Sequence, residues 1–250
     1  MSFAVLPTGA RLHYIDTASM DKAKPVMLLI HGMLGTAEMH FEHVIKWLEP
    51  SFRVIAPTLR GYGQSEPKPR TFPYDFYHKD ANDVLALMDA LNLNAAHILG
   101  YSDGGETALL SAGSQPERFN SVMTIGAIGF YGPAMRPVVQ RMFPGNWISD
   151  EEVALHGIPN RDAFVLGWMK SVQRIIDSGG DLSLTIAERI AAPLLMMLGE
   201  RDALNPPEYA KKVIARAQNA RLQMFNCGHG VHQEAWEEFQ RTAGEFLTSV

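Results

Sequence analysis

Residues 96–110 read Ala-His-Ile-Leu-Gly-Tyr-Ser-Asp-Gly-Gly-Glu-Thr-Ala-Leu-Leu, AHILGYSDGGETALL. An apolar run of strand character leads in and a run of helix formers leads out. Ser102 stands at the junction, between Gly100 and Gly104. The pentapeptide Gly100-Tyr101-Ser102-Asp103-Gly104 fits Gly-x-Ser-x-Gly, which arises by chance often enough to mean little alone. Its place between a strand and a helix gives it weight. A sharp strand-to-helix turn pushes the serine hydroxyl into the open, and the glycines leave room for a strained backbone and close packing. The competing reading is a serine that merely caps the helix.

Working outward, the flanks repeat the same alternation. Short apolar runs at 25–30 (PVMLLI), 53–57 (RVIAP), 121–126 (SVMTIG), 193–199 (PLLMMLG) and 221–226 (RLQMFN) have the continuous hydrophobicity of buried parallel strands. Helical patterns at 39–49, 75–92, 104–113, 206–217 and 233–248 separate several of them. Residues 3–18 hold two alternating runs around Pro7-Thr8-Gly9, the signature of an antiparallel hairpin. Alternating strands and helices predict an α/β fold with a mostly parallel central sheet flanked by helices. Between 131 and 190 no strand is evident. Sixty residues is long for a crossover, so the pattern predicts a helical cap (131–190) inserted into a core built from 1–130 and 191–250.

Composition bounds the function. The chain has 250 residues, 46 % hydrophobic and 20 % charged, enough for a large core and unlike a disordered chain. A formal net charge of −5 and the lack of a long Lys/Arg run argue against a general nucleic-acid binder. The single cysteine, Cys227, permits no internal disulfide and reads as a small buried residue. No stretch reaches the roughly 18 apolar residues of a membrane helix, and the first residues do not resemble a signal peptide. The expectation is a soluble, cytoplasmic protein without membrane or nucleic-acid partners. Its oligomeric state is not legible.

A serine hydroxyl is a poor nucleophile at neutral pH and needs a base, which in turn needs an orienting carboxylate. With a strand–serine–helix elbow the expected chain order is serine, acid, histidine. Asp202 in LGERDALNP and His229 in CGHGVH each follow a predicted strand, in that order. Glu200 and His232 are the alternatives, each placed less well, at the strand end and toward the last helix. The pair His229 and His232 suggests a metal only weakly, since no carboxylate cluster accompanies it. Acyl transfer also needs donors for the oxyanion. The backbone N–H of Met33, in HGMLG after the first buried run, and that of Asp103, directly after the serine, are the candidates. His31 reads as structural. Asp75, Asp80 and Asp83 read as solvated or helix-stabilising, and Trp147 and Trp168 as cap core or pocket wall. No metal or cofactor is required.

These residues together resemble the α/β-hydrolase superfamily, and more narrowly the valacyclovir hydrolase, or biphenyl-hydrolase-like, group. The close stretches are LRGYGQSEPKPRTFPYDFYHKDANDVLALMDALN, LGYSDGGETALLSA, PLLMMLGERDALNP and CGHGVHQEAWEEF, while 131–190 matches poorly. The resemblance implies Ser102 as nucleophile, Asp202 as acid, His229 as base and Asp103 as the site of a substrate α-ammonium group. It implies hydrolysis of α-amino acid esters.

Electrostatics agrees with that role for Asp103. A bare carboxylate about 5 Å from a developing oxyanion repels it by roughly 3 kcal/mol at an effective dielectric near 20. That slows a neutral ester about a hundredfold. A substrate ammonium cancels the penalty. The competing readings are a helix N-terminal charge or a partner of an arginine or lysine. The functional rivals are a general carboxylesterase or lactonase without amine preference, carbon–carbon bond hydrolysis or perhydrolysis on the same residues, and a binding protein with an inert serine. Dehalogenation is disfavoured, because that chemistry places an aspartate where Ser102 stands.

Overall fold

The computed structural model describes residues 2–17 and 24–250. Position 18, the last of the segment read as a hairpin, lies outside them. The chain opens with strands β1 (Ser2–Val5) and β2 (Arg11–Asp16), paired antiparallel around a turn in which Gly9 has φ +82°. Then follow β3 (Val26–Ile30), helix α1 (Ala37–Leu48), β4 (Arg53–Pro57), α2 (Phe76–Ala90), β5 (Ala96–Tyr101), α3 (Asp103–Ser114) and β6 (Phe119–Ile125). After β6 come α4 (Met135–Gln140), α5 (Asp150–His156) and α6 (Arg161–Asp177), with short 3₁₀ turns and no strand. The chain closes with β7 (Leu194–Gly199), α7 (Pro207–Ile214), β8 (Ala220–Phe225), α8 (Val231–Glu234) and α9 (Trp236–Thr248).

The eight strands form one sheet in the order β1-β2-β4-β3-β5-β6-β7-β8, parallel from β4 onward. The apolar runs of β3 to β7 are continuous because both faces are covered, whereas the edge strand β8 is only half-buried. In β3, Leu28 and Ile30 enter the core layer beneath α2, α3 and α7, while Met27 and Leu29 enter the layer beneath α1 and α9. In β7, Leu194, Met196 and Leu198 face the first layer, and Leu195 and Met197 the second. Burying an aliphatic side chain on either face contributes about 1.5–3 kcal/mol.

From β3 the chain crosses to β4 on one side and later to β5 on the other. The carboxyl ends of β3 and β5 therefore border a topological switch point, where open α/β sheets bind ligands. Both candidate oxyanion donors and Ser102 follow these two strands.

Two expectations need correction. Asp80 and Asp83 are not solvated: both are fully buried in α2. Arg70 reaches Asp80 with two bonds of 2.7 and 2.5 Å, and Arg60 reaches Asp83 with two of 2.6 and 2.5 Å. A buried carboxylate needs a cation or hydrogen bonds to stay ionised, and these two arginine pairs tie the 58–75 loop onto α2. The helical pattern at 233–248 is broken at Ala235. Glu234 turns back there to accept the backbone N–H groups of Gly228 and Gly230, which shapes the loop bearing His229.

Candidate active site

Ser102 has φ +55° and ψ −123°, backbone that a residue with a side chain adopts only when its surroundings force it. Its N–H donates to Ile125 O in β6 (2.7 Å). A Cβ on Gly104 would come within 2.0 Å of Ile30 O, and one on Gly100 within 2.1 Å of Gly104 O. The helix thus starts in contact with β3 only because both positions are glycine. Ser102 makes no side-chain capping bond to α3, which leaves its hydroxyl for other work.

That hydroxyl lies 3.0 Å from His229 Nε2, and His229 Nδ1 lies 2.8 Å from Asp202 Oδ2. A carboxylate only accepts, so the proton sits on Nδ1 and Nε2 is free to accept from the serine. Asp202 has a fully buried side chain. Its Oδ1 accepts Leu204 N–H (2.8 Å), and its Oδ2 accepts Asn205 Nδ2 (3.2 Å), which also donates to Gly126 O (2.7 Å). Of the alternatives, Glu200 is exposed, and His232 is buried against Tyr101, donating from Nε2 to His40 O (3.0 Å). Cys227 is buried.

The loop after β3 is held by histidines. His31 donates from Nδ1 to Gly32 O (2.7 Å) and accepts Leu59 N–H on Nε2 (2.9 Å). His40 accepts Gly32 N–H (3.2 Å). His156, fully buried at the end of α5, accepts Gly63 N–H on Nδ1 (3.0 Å) and donates to Leu34 O (2.9 Å). Burial keeps these imidazoles neutral, with His40 held down to about 4. Leu34 takes the left-handed backbone (φ +55°). Within this scaffold neither Met33 N–H nor Asp103 N–H is spent on another described residue. Asn205, His40 and His156 went unrecognised in the sequence. Only the tertiary fold brings them to these loops, and nothing local marks them.

Asp103 is the first residue of α3 and is 7 % exposed. Its Oδ1 accepts from Tyr77 Oη in α2 (2.7 Å), while Oδ2 is buried without a partner among the described residues. Among the described residues no arginine or lysine pairs with it. Burial pushes its carboxyl up to about 6, against the Tyr77 hydrogen bond that holds it down.

Ser102, Asp103 and His229 border a cavity of about 230 Å³. Met33, Leu34, Tyr131, Met135, Trp147 and Trp168 supply much of its apolar wall, with Trp147 at the outer edge. Glu152 also borders it, and no lysine or arginine does among the described residues.

A family model described as alpha/beta hydrolase fold matches residues 25–152, about half of the chain. A human protein named serine hydrolase BPHL is 31 % identical over 98 % of this chain and 86 % of its own. The chain belongs to the alpha/beta hydrolase family. Within this family, the hydrolase is similar to the biphenyl-hydrolase-like group that its motifs resemble. It is also 25 % identical to a Burkholderia cepacia 2-hydroxy-6-oxo-6-phenylhexa-2,4-dienoate hydrolase, over 96 % of this chain and 92 % of that protein. Among solved structures, the enol-lactonase of Burkholderia xenovorans LB400 superposes with a TM-score of 0.71 at 27 % identity, covering 99 % of this hydrolase and all of the lactonase.

Proposed function

We propose that the protein is a serine hydrolase that cleaves small carboxylic esters through an acyl-enzyme, with a preference for α-amino acid esters. The hydrogen-bonded chain from Ser102 through His229 to Asp202 carries this reading. Ser102 Oγ attacks the ester carbonyl and His229 Nε2 takes its proton. Asp202 holds the resulting imidazolium, and the N–H groups of Met33 and Asp103 receive the oxyanion. His229 then protonates the leaving alcohol, and water repeats the attack on the acyl-enzyme. Residues 131–190 act as a cap, which fits the presence of Met135, Trp147 and Trp168 in the cavity wall.

The amine preference rests on Asp103, whose buried carboxylate borders the cavity with one oxygen unpartnered and no lysine or arginine paired to it among the described residues. Without a positive group from the substrate it opposes the oxyanion. The same observation weighs against the carbon–carbon reading suggested by the dienoate hydrolase. A dienoate is itself an anion, and a cavity bordered by Asp103 and Glu152 offers it no lysine or arginine among the described residues.

The test is initial rates on an α-amino acid ester and its N-acetylated twin, for wild type, Ser102→Ala and Asp103→Asn. Ser102→Ala should lose at least about 10⁴-fold on both esters. Asp103→Asn should erase a free-amine preference of roughly a hundredfold. Equal wild-type rates on the two esters would leave a general carboxylesterase. Faster turnover of a dienoate than of either ester would establish the carbon–carbon reading.

A further inference from the structure

Asp103 does not stand alone. Tyr77 and Tyr131 are buried side chains whose hydroxyls lie 3.0 Å apart, and Tyr77 Oη reaches Asp103 Oδ1 at 2.7 Å. A phenol has a single proton. Because the Tyr77 proton goes to the carboxylate, the Tyr131 hydroxyl must donate to Tyr77. The result is a one-way chain, Tyr131 to Tyr77 to Asp103, that delivers hydrogen bonds to the ionised form of the acid. Tyr77 lies on α2 and Tyr131 just after β6, so the chain spans two separate parts of the fold. It occupies Oδ1 alone and leaves Oδ2 unpaired among the described residues.

We infer that Tyr77 is a specificity-determining positioning residue: its hydroxyl, backed by Tyr131, keeps the buried Asp103 ionised and turns the second carboxylate oxygen toward the substrate's ammonium group. This inference rests on the ammonium role of Asp103 proposed above.

The surroundings make such support necessary. Burial disfavours the charged acid. Asp80 in α2 adds like charge, and Arg70, already bound to Asp80, offsets it at a distance, while Glu106 on α3, pushed up to about 7, still holds its proton where Asp103 titrates. The buried Tyr62 ring borders the same charges. The Trp168 indole N–H leans toward the carboxylate from α6 but stays short of hydrogen-bond geometry. Tyr77 is thus the one side chain among the described residues that hydrogen-bonds the acid. Hydrogen bonds to a charged group are about twice as strong as neutral ones, so removing this one favours protonation. The balance lies close to neutral pH, since the carboxyl already sits near 6.

The experiment follows the ratio of rates on the free-amine ester and its N-acetylated twin from pH 5 to pH 9, in wild type and Tyr77→Phe. His229 and Ser102 serve both esters, so their titration cancels in the ratio. The alkaline limb of the ratio belongs to the substrate amine and is common to both enzymes. The acid limb belongs to Asp103. It should move up by roughly one pH unit in Tyr77→Phe, which lowers the amine preference about tenfold near pH 6.5. The rate on the N-acetylated ester should rise over the same pH range, because a neutral Asp103 no longer repels the oxyanion. A merely structural defect would lower both rates together.

Tyr131→Phe keeps the bond to Asp103 and should shift the acid limb in the same direction by less. It carries the test if Tyr77→Phe does not fold. An acid limb that stays put in both variants, with the wild-type preference intact, overturns this inference and spares the ammonium role of Asp103. A wild-type ratio near one at every pH overturns both.

Discussion

At the scale of the residue, the site depends on groups that do no chemistry. Asn205 is an example: one side-chain amide ties the carbonyl of Gly126 to the carboxylate of Asp202 and so sets where the acid stands beneath His229. Such outer partners orient the groups that react. Asn205→Ala should lower kcat by about ten- to a hundredfold with little change in KM. Steady-state kinetics on the preferred ester check this, and a rise in KM alone would show that Asn205 touches substrate instead. Ser102, Asp202 and His229 were readable as candidates because their chemistry and chain order are distinctive. Asn205 and Tyr77 were not, since an amide three residues past an acid and a tyrosine inside a helix carry no local mark. Asp103 lay between: the sequence showed its charge, and only the fold showed that no arginine or lysine among the described residues pairs with it.

At the scale of the element, the strands from β3 to β7 were legible because burial on both faces makes them largely continuous apolar runs, while β8, at the sheet edge, is only half-buried. Helix ends were less so, as the split between α8 and α9 shows. The acids of α2 were misread. Acids near a helix start ordinarily face water, and nothing local announces that Arg60 and Arg70 fold back over them. The pairing has an energetic consequence. Asp80→Asn leaves the Arg70 guanidinium, only 2 % exposed in its side chain, without its carboxylate. Breaking one side of a buried pair costs about 3–5 kcal/mol. Urea unfolding at neutral pH should show a loss of that size. A loss below about 1 kcal/mol would mean the loop relaxes and rehydrates Arg70.

At the scale of the whole molecule, buried titratable groups oppose one another. His40 and His232 are held down to about 4, and His31 well below its ordinary value, all chiefly by burial. Their unfolded counterparts take up protons near pH 6.5, so the stability they contribute is present above that pH and is lost as pH falls toward 4. Asp103 and Glu106 act in reverse. Burial pushes them up to about 6 and about 7, so the native state holds protons that the unfolded chain releases near pH 4, and stability falls as pH rises through that range. Burial also lowers His97 and His156 and raises Asp80, so among the described residues five histidines outweigh three carboxyls. Stability should therefore decline on acidification from pH 6.5 to 4.5, by about 1.4 kcal/mol per pH unit for each net proton. Urea midpoints across that range give the slope, and His232→Gln should flatten it. A stability maximum near pH 5 would show that the carboxyls win.

The sequence by itself determined the alternation of strands and helices, the strained serine turn and the order of the three candidate catalytic residues. Each of these is written in near neighbours, through hydrophobic period, glycine placement and the short reach of a loop past a strand. Tertiary structure alone decided which histidine of the pair 229 and 232 faces Ser102, which acids are buried, and that Asp103 is held by a tyrosine and left with one oxygen free. Those outcomes depend on contacts between residues as far as 127 positions apart. At such separations burial and charge are set by what the whole chain packs together, and no local pattern records it.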